Sequence, residues 1–289
     1  MKSDFIGSFG KFSIGLIFFW LVLFASLPFL LVFIASFLQR GSTEFLEFSF
    51  TFASYAKIFN PVYFKVFLDS FTLSLITSIV TLILAFPFAF ILSKLPPKAK
   101  AWGLLLTIIP FWTSSLVRTY ALVAILKTKG VLNGFLLWSG IIDKPLEIMY
   151  TESAVIIGMV YTLLPFMILP LYASFEKLDN RYIEAARDLG ANRFWILYKI
   201  ILPLVSPGIV AGVILVFLPS LGMFFVPDLL GGAKDLIVGS FIRNQFLTFR
   251  DWPFGSVASV ILTLLMLGLI FIYTKVQNLG GRKDEDQVL

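Results

Sequence analysis

The chain has 289 residues, 58% of them hydrophobic and only 14% charged, with a mean hydropathy of +0.93. Soluble domains carry roughly 25% charged residues and could not hide so much apolar surface. A soluble enzyme, a nucleic-acid-binding protein and a disordered chain are all but excluded, which leaves a polytopic membrane protein. Cys and His are both absent, which removes disulfides, thiol nucleophiles, imidazole bases and nearly all zinc or haem ligation. The net charge of +6 belongs where loops meet the cytoplasmic leaflet.

A helix needs about 20 apolar residues to cross the hydrocarbon core. In chain order, the apolar stretches 12–37, 66–93, 102–126, 154–175, 205–226 and 255–274 predict six spans. The first, Phe12 to Phe37, has no charge, and its length argues for a retained span rather than a cleaved signal. Placing the N-terminus inside makes 1–11, 94–101, 176–204 and 275–289 the inside segments. Their density of Lys and Arg is roughly twice that of the outside segments 38–65, 127–153 and 227–254, which predicts that both termini are cytoplasmic. Segment 94–101 (KLPPKAKA) reads as a tight basic hairpin. The tail GRKDEDQVL reads as a solvated end. The whole chain, 1–289, reads as a single all-α transmembrane domain.

Loop 176–204 is far longer than a connection requires. Asp179 or Asn180 can cap a short helix. Ile183, Ala186 and Leu189 or Gly190 recur at helical spacing. Gly190 suits a left-handed turn. Phe194, Ile196, Leu197 and Ile200 predict a second amphipathic helix, which Pro203 is expected to end. Such a helix–turn–helix suits docking to a soluble partner.

Glu184-Ala185-Ala186, Gly190, Ile200 and Leu202-Pro203, with their spacing, resemble the EAA loop of ABC importer permeases. The resemblance extends over PFWTSSLVRTYA (110–121), TKGVLN (128–133), SAVIIGMVYTLLPFMILPLY (153–172), FEKLDN (175–180), DLLGGAKDLIVG (228–239) and RDWPFG (250–255). These stretches are similar to the permeases of spermidine/putrescine importers; permeases of the same type for other solutes are the alternative. The resemblance implies a type I ABC importer permease fold in a bacterial inner membrane. It implies a homodimeric ATPase subunit seated on the EAA loop, a sister permease that completes a heterodimeric pore, a periplasmic polyamine-binding protein, and a polyamine as substrate. Glu184, Ala185, Ala186, Gly190, Ile200, Leu202 and Pro203 would couple to the ATPase.

The chemistry is consistent with that division of labour. No phosphate-cradling G-x-x-x-x-G-K-[ST] loop occurs, so ATP and its Mg belong on the partner ATPase, and no cofactor or catalytic residue is expected on this chain. A polycation path calls for carboxylates and aromatic faces. Asp228, following Phe224 and Phe225, either lines such a path or merely ends the fifth span. Trp112, Tyr120 and Tyr161 line the path or form an interface belt. Asp251 faces the binding protein or pairs locally with a neighbour such as Arg250. Asp69, Glu147 and Glu152 are weaker candidates. Arg118, the only basic residue inside a span, is read as structural or gating. Pro87, Pro110, Pro165, Pro170 and Pro219 interrupt apolar runs and either kink spans or fix packing.

Overall fold

The computed structural model describes residues 2–41, 46–232 and 237–285. Lys234, counted among the basic residues of the last outside segment, and residues 286–289 of the charged tail lie outside the described residues. The chain runs as α1 (Lys2–Leu21), a π turn (Val22–Ser26), α2 (Leu27–Ala35), β1 (Leu38–Gln39), β2 (Glu47–Phe50), α3 (Ala53–Ile58) and α4 (Pro61–Lys94). Next come α5 (Pro97–Ile108), a 3-10 turn (Ile109–Trp112), α6 (Ser115–Leu126), α7 (Val131–Trp138) and α8 (Glu152–Glu176). The remainder is α9 (Asn180–Asp188), α10 (Arg193–Ile196), a second π turn (Leu197–Ile201), α11 (Leu202–Gly222), α12 (Phe225–Leu230), α13 (Val238–Leu247) and α14 (Trp252–Glu285). Among the described residues, six helices are long and apolar enough to cross a membrane.

The prolines explain where helices continue and where they break. A proline ring collides with the carbonyl four residues back and supplies no N–H. Ahead of Pro28 the chain widens into the π turn Val22–Ser26, where the Leu27 N–H donates to the Val22 carbonyl, five residues back. Pro203 is accommodated in the same way: the Leu202 N–H donates to the Leu197 carbonyl across the second π turn. Pro203 therefore does not end the helix. Residues 193–222 form one continuous rod, because the wide turn removes the clash that was expected to stop it.

The third apolar stretch behaves differently. It is not one helix over 102–126. Pro110 sits in the 3-10 turn, Thr113 is extended (φ −98°, ψ 144°), and the helix restarts at Ser115. The fifth span likewise ends at Gly222, earlier than the apolar run suggests, and Asp228 lies on the separate short helix α12. Pro87, Pro165, Pro170 and Pro219 all lie inside helices.

Residues 65–240 form one compact unit, and residues 1–64 with 241–289 form another. In the first, α8 is the core helix. Leu163, Met167, Leu171 and Phe175 are buried against Ala85 and Ala89 of α4, Ile183 and Ala186 of α9, and Val205 and Val216 of α11. Helix α8 packs extensively against α11. Gly208 and Gly212, four residues apart, present a bare backbone to α8, the small-residue device that lets membrane helices approach closely. A Cβ on Gly208 would meet Ser174 and lie 2.7 Å from the Pro170 carbonyl; on Gly212 it would lie 2.6 Å from the Met167 sulfur.

In the second unit, α2 leads into a short antiparallel hairpin of β1 and β2. Phe37 stacks on Phe50, with ring centroids 5.4 Å apart, and both pack edge-on against Phe52. The Ser36 hydroxyl is 2.8 Å from the Tyr55 hydroxyl, and α14 packs on α2 and α3.

The two glycines generate a graded expectation. Gly208→Leu should destabilise the protein by about 1–3 kcal/mol, because the obstructing atom is backbone. Gly212→Ala should cost less, since a methionine thioether can yield. Thermal unfolding in detergent measures both, and a G208L midpoint at or above wild type would refute close α8–α11 packing.

Candidate functional site

Loop 176–204 is built from local chain chemistry. The Asp179 carboxylate accepts the Arg181 N–H at 2.9 Å and so caps α9. Ile183 and Ala186 turn inward, while Glu184 and Ala185 are exposed. At Gly190 the backbone is left-handed (φ +79°), a conformation that a side chain resists. The Gly190 N–H donates to the Arg187 carbonyl and the Ala191 N–H to the Ala186 carbonyl, which satisfies the end of the helix. The Asn192 side chain accepts the Trp195 N–H at 2.8 Å and starts α10. Ile200 and Leu202 are half-buried and Pro203 is exposed.

Leu189 does not join Ile183 and Ala186 in the core. It is 88% exposed, because it caps the helix at the point where the chain leaves the helical path. Phe194, expected on the apolar face of the second helix, is 83% exposed. With Tyr182, Trp195 and Tyr198 also exposed, the tip carries an unpartnered apolar surface in a segment that is otherwise strongly polar. Burial of one such side chain is worth about 1.5–3 kcal/mol, and patches of this kind mark docking surfaces. Two hollows flank the turn. One, of about 530 Å³, is lined by Tyr182, Ala185, Leu189, Gly190, Trp195 and Ile200. The other, of about 450 Å³, brings together Phe90, Lys94, Glu184, Arg187, Arg193 and Ile201. Each offers apolar walls, and the second adds charges of both signs at its rim.

The basic hairpin grips this loop, which sequence reasoning missed. Lys100 Nζ donates to both carboxylate oxygens of Glu176 at 2.9 Å. Lys94 Nζ donates to the Asn180 side-chain carbonyl. The loop is thus held at its first residue and at the first residue of α9. The carboxylate raises the Lys100 pKa above its ordinary value. The pair is therefore complete at neutral pH; it is lost as pH rises through that raised value, and in acid when the carboxylate takes up a proton. In the sequence the lysines of 94–101 carry a topology signal alone. Nothing in the spacing reveals which carboxylate they reach.

The acid–aromatic candidates separate in the structure. Asp228 is partly buried, and its Oδ1 accepts the Ser240 hydroxyl at 2.7 Å. Phe224 and Phe225 stand beside it at right angles, with centroids 5.9 Å apart. Val226 and Leu230 anchor α12 against Gly158 of α8. Trp112 is 77% exposed at the end of the 3-10 turn, and Tyr120 and Tyr161 are also exposed. Asp69 and Glu152 share a cavity of about 270 Å³ with Lys65 and Thr72. Asp251 is only 7% exposed. It caps α14 by accepting the Phe254 N–H at 3.2 Å, and its other oxygen lies 3.7 Å from Lys57 and 3.9 Å from Arg40. Arg40 also donates to the Phe249 carbonyl at 2.9 Å, so Asp251 ties the segment after α2, helix α3 and the start of α14 together. Among the described residues, no three acidic side chains converge as metal ligands.

Two outcomes follow from these contacts. Asp251→Ala removes a cap worth about 1–2 kcal/mol and leaves two cations unneutralised; the unfolding midpoint should fall, and no change would refute the hub. Lys100→Glu should open the loop and speed tryptic cleavage at Lys177, Arg181 and Arg187. Adding Glu176→Lys should restore the wild-type rate; a double variant as labile as the single one would refute the clamp.

Residues 85–281 match the family described as binding-protein-dependent transport system inner membrane component. The chain is 51% identical over 277 residues to the spermidine/putrescine transport system permease protein PotB of Haemophilus influenzae, covering 96% of this chain and 97% of that protein. It is 50% identical over 266 residues to PotB of Escherichia coli K12, covering 92% and 97%. Its fold matches a chain in the crystal structure of a bacterial alginate ABC transporter in complex with an alginate pentasaccharide-bound periplasmic protein. The TM-score is 0.73 at 16% identity, over 94% of this chain and 95% of that one. The chain belongs to the binding-protein-dependent inner-membrane components: it is a permease of the ABC importer type, a transport subunit and not an enzyme.

Proposed function

We propose that this chain is the permease subunit of an ATP-driven importer of polyamines, spermidine or putrescine. The observation that carries this reading is 50–51% identity, over more than nine-tenths of the chain, to permeases named for that transport. Both termini lie in the cytoplasm, so loop 176–204 faces the ATPase. A homodimeric ATPase subunit, which holds the ATP and Mg, seats against Glu184, Ala185, Ala186 and Gly190. A sister permease completes the pore, and a periplasmic polyamine-binding protein delivers the substrate.

The geometry supplies a route from loop to path. Helix α10 continues without interruption into α11 through the π turn that contains Ile200 and leads to Leu202-Pro203. A displacement of the loop by closure of the ATPase dimer therefore moves α11 as a rod. Gly208 and Gly212 pass that displacement to α8, because α11 contributes no side chain of its own at these two points. Lys100 and Lys94 carry the α4–α5 hairpin along. Such rigid-body shifts of packed helices produce alternating access. At the other end of α11, Phe224, Phe225 and Asp228 form an acid–aromatic group suited to ammonium and methylene segments. Each cation–π contact there is worth about 0.5–2 kcal/mol. Trp112, Tyr120 and Tyr161 offer further aromatic faces, and within its own unit Asp251 ties together the segments that carry Arg40, Lys57 and Phe254.

Labelled spermidine uptake tests this reading in cells that lack polyamine import and receive the chain with its operon partners. Uptake that requires the chain and that excess putrescine competes down is expected. An assembled complex without uptake would discard the polyamine and keep the permease. Asp228→Asn should cut uptake by about tenfold with normal assembly, because it removes the negative charge offered to a passing ammonium; normal uptake would remove Asp228 from the path. Gly190→Leu should lose the ATPase subunit on purification, because a left-handed backbone there disfavours a side chain.

A further inference from the structure

Arg118 has no task in the mechanism above. It lies on α6, within the membrane span, and its Nε and Nη1 are buried without a hydrogen-bond acceptor among the described residues. Among those residues it also forms no ion pair. What faces the guanidinium instead is aromatic. Its Cζ lies 6.0 Å from the centroid of Phe111 and 6.0 Å from that of Tyr161. Phe111 is itself held edge-on by Phe166 at 5.0 Å, and Tyr161 is fixed on α8, the core helix. The break around Pro110 puts Phe111 on a 3-10 turn and Arg118 on the helix that restarts after it.

A buried guanidinium normally takes carboxylate or carbonyl acceptors. Here the electron-rich faces of two rings take their place. The protein's own side chain thus displays the kind of group this position accepts: a flat or compact cation, stripped of water on its buried side. An ammonium carried on a methylene chain belongs to the same chemical class. We propose that Phe111 and Tyr161 form an ammonium subsite of the translocation path, and that Arg118 is its resident cation, displaced by a passing polyamine and returning to expel it. This rests on the polyamine reading given above. It assigns a basic residue whose Nε and Nη1 are buried within a span a purpose that a polycation path otherwise makes hard to understand. A fixed positive charge would block such a path, whereas a tethered and displaceable one limits how long the substrate stays.

The test uses the complete importer in proteoliposomes, with labelled spermidine as probe and both maximal uptake rate and half-saturating concentration as readouts. Tyr161→Leu removes a ring face and should raise the half-saturating concentration several-fold. Arg118→Gln removes the competitor and should lower the maximal rate about tenfold without raising the half-saturating concentration. Arg118→Lys keeps a displaceable cation and should retain at least half of the wild-type rate. In the double variant Arg118→Gln/Tyr161→Leu, the loss of rate caused by Arg118→Gln should disappear, because no face remains to be cleared. Rate losses that multiply in the double variant would overturn the proposal. So would an Arg118→Lys importer as slow as Arg118→Gln, since that is the signature of a packing role. If the Arg118→Gln complex cannot be recovered, the comparison of Arg118→Lys with and without Tyr161→Leu decides in its place: a half-saturating concentration insensitive to Tyr161 refutes the subsite. Wild-type importer that takes up no spermidine would remove the substrate class, and the subsite with it; wild-type uptake with multiplicative losses would remove the subsite alone.

Discussion

In hydrocarbon, a backbone N–H or C=O without a partner costs several kcal/mol, so the chain must either remain helical or break where something else satisfies it. Prolines decide which. Pro28 and Pro203 each follow a π turn, and in both places the helix carries on. Pro110 follows an ordinary helix and enters a tighter turn, and the helix is lost for several residues. The two responses have opposite mechanical effects. The π turn before Pro203 makes residues 193–222 a single lever that joins an exposed loop to a membrane span. The break after Pro110 uncouples α5 from α6, so that the hairpin clamped to the loop can move without dragging the helix that carries Arg118.

A lever is useful only if its load is stiffly attached. The attachment is steric rather than chemical: the bare backbones of Gly208 and Gly212 lie against Pro170 and Met167. Helices in a membrane gain little from apolar contact alone, because lipid offers the same, and close approach through small residues is the remaining source of specific contact. The same constraint explains why α8 is the most buried helix of the set. It receives α11 on one side, while α4 and α9 pack elsewhere along its length.

Hydropathy made the spans legible, since length and apolar content are one-dimensional properties. It could not show that 102–126 is broken, because Phe111, Trp112 and Leu116 are as apolar as any helical run. The turn at Gly190 was also legible, because only glycine tolerates that backbone cheaply. Helical spacing alone does not separate Leu189 from Gly190, because it extrapolates past the point where the chain leaves the helix, and Leu189 stands exposed there. The charged contacts were the least legible. Lys100 with Glu176, and Asp251 with Arg40 and Lys57, join residues far apart in sequence. A count of positive charges orients a chain in the membrane but says nothing about which acid each one meets. For Asp251 the sequence leaves docking to a binding protein and local pairing both open; its burial against two cations and its role as a helix cap emerge only in three dimensions.

The cost of burying charge links these parts. A chain with 14% charged residues in a low-dielectric setting cannot afford idle ones. Asp251 fastens the start of α14, Lys100 and Glu176 fasten the loop, and Asp228 is held by Ser240 on a short helix of its own. Each therefore has a protein partner that fixes it in one position. Arg118 differs in kind, because its surroundings are rings, whose attraction for a cation depends far less on direction than a hydrogen bond to a carboxylate does. A group bound by directional bonds is a fastening; one bound by a diffuse field can be exchanged. An importer that cycles must release what it binds, and the chain places its exchangeable cation contact on α6 and α8, where α8 is the helix against which the lever works.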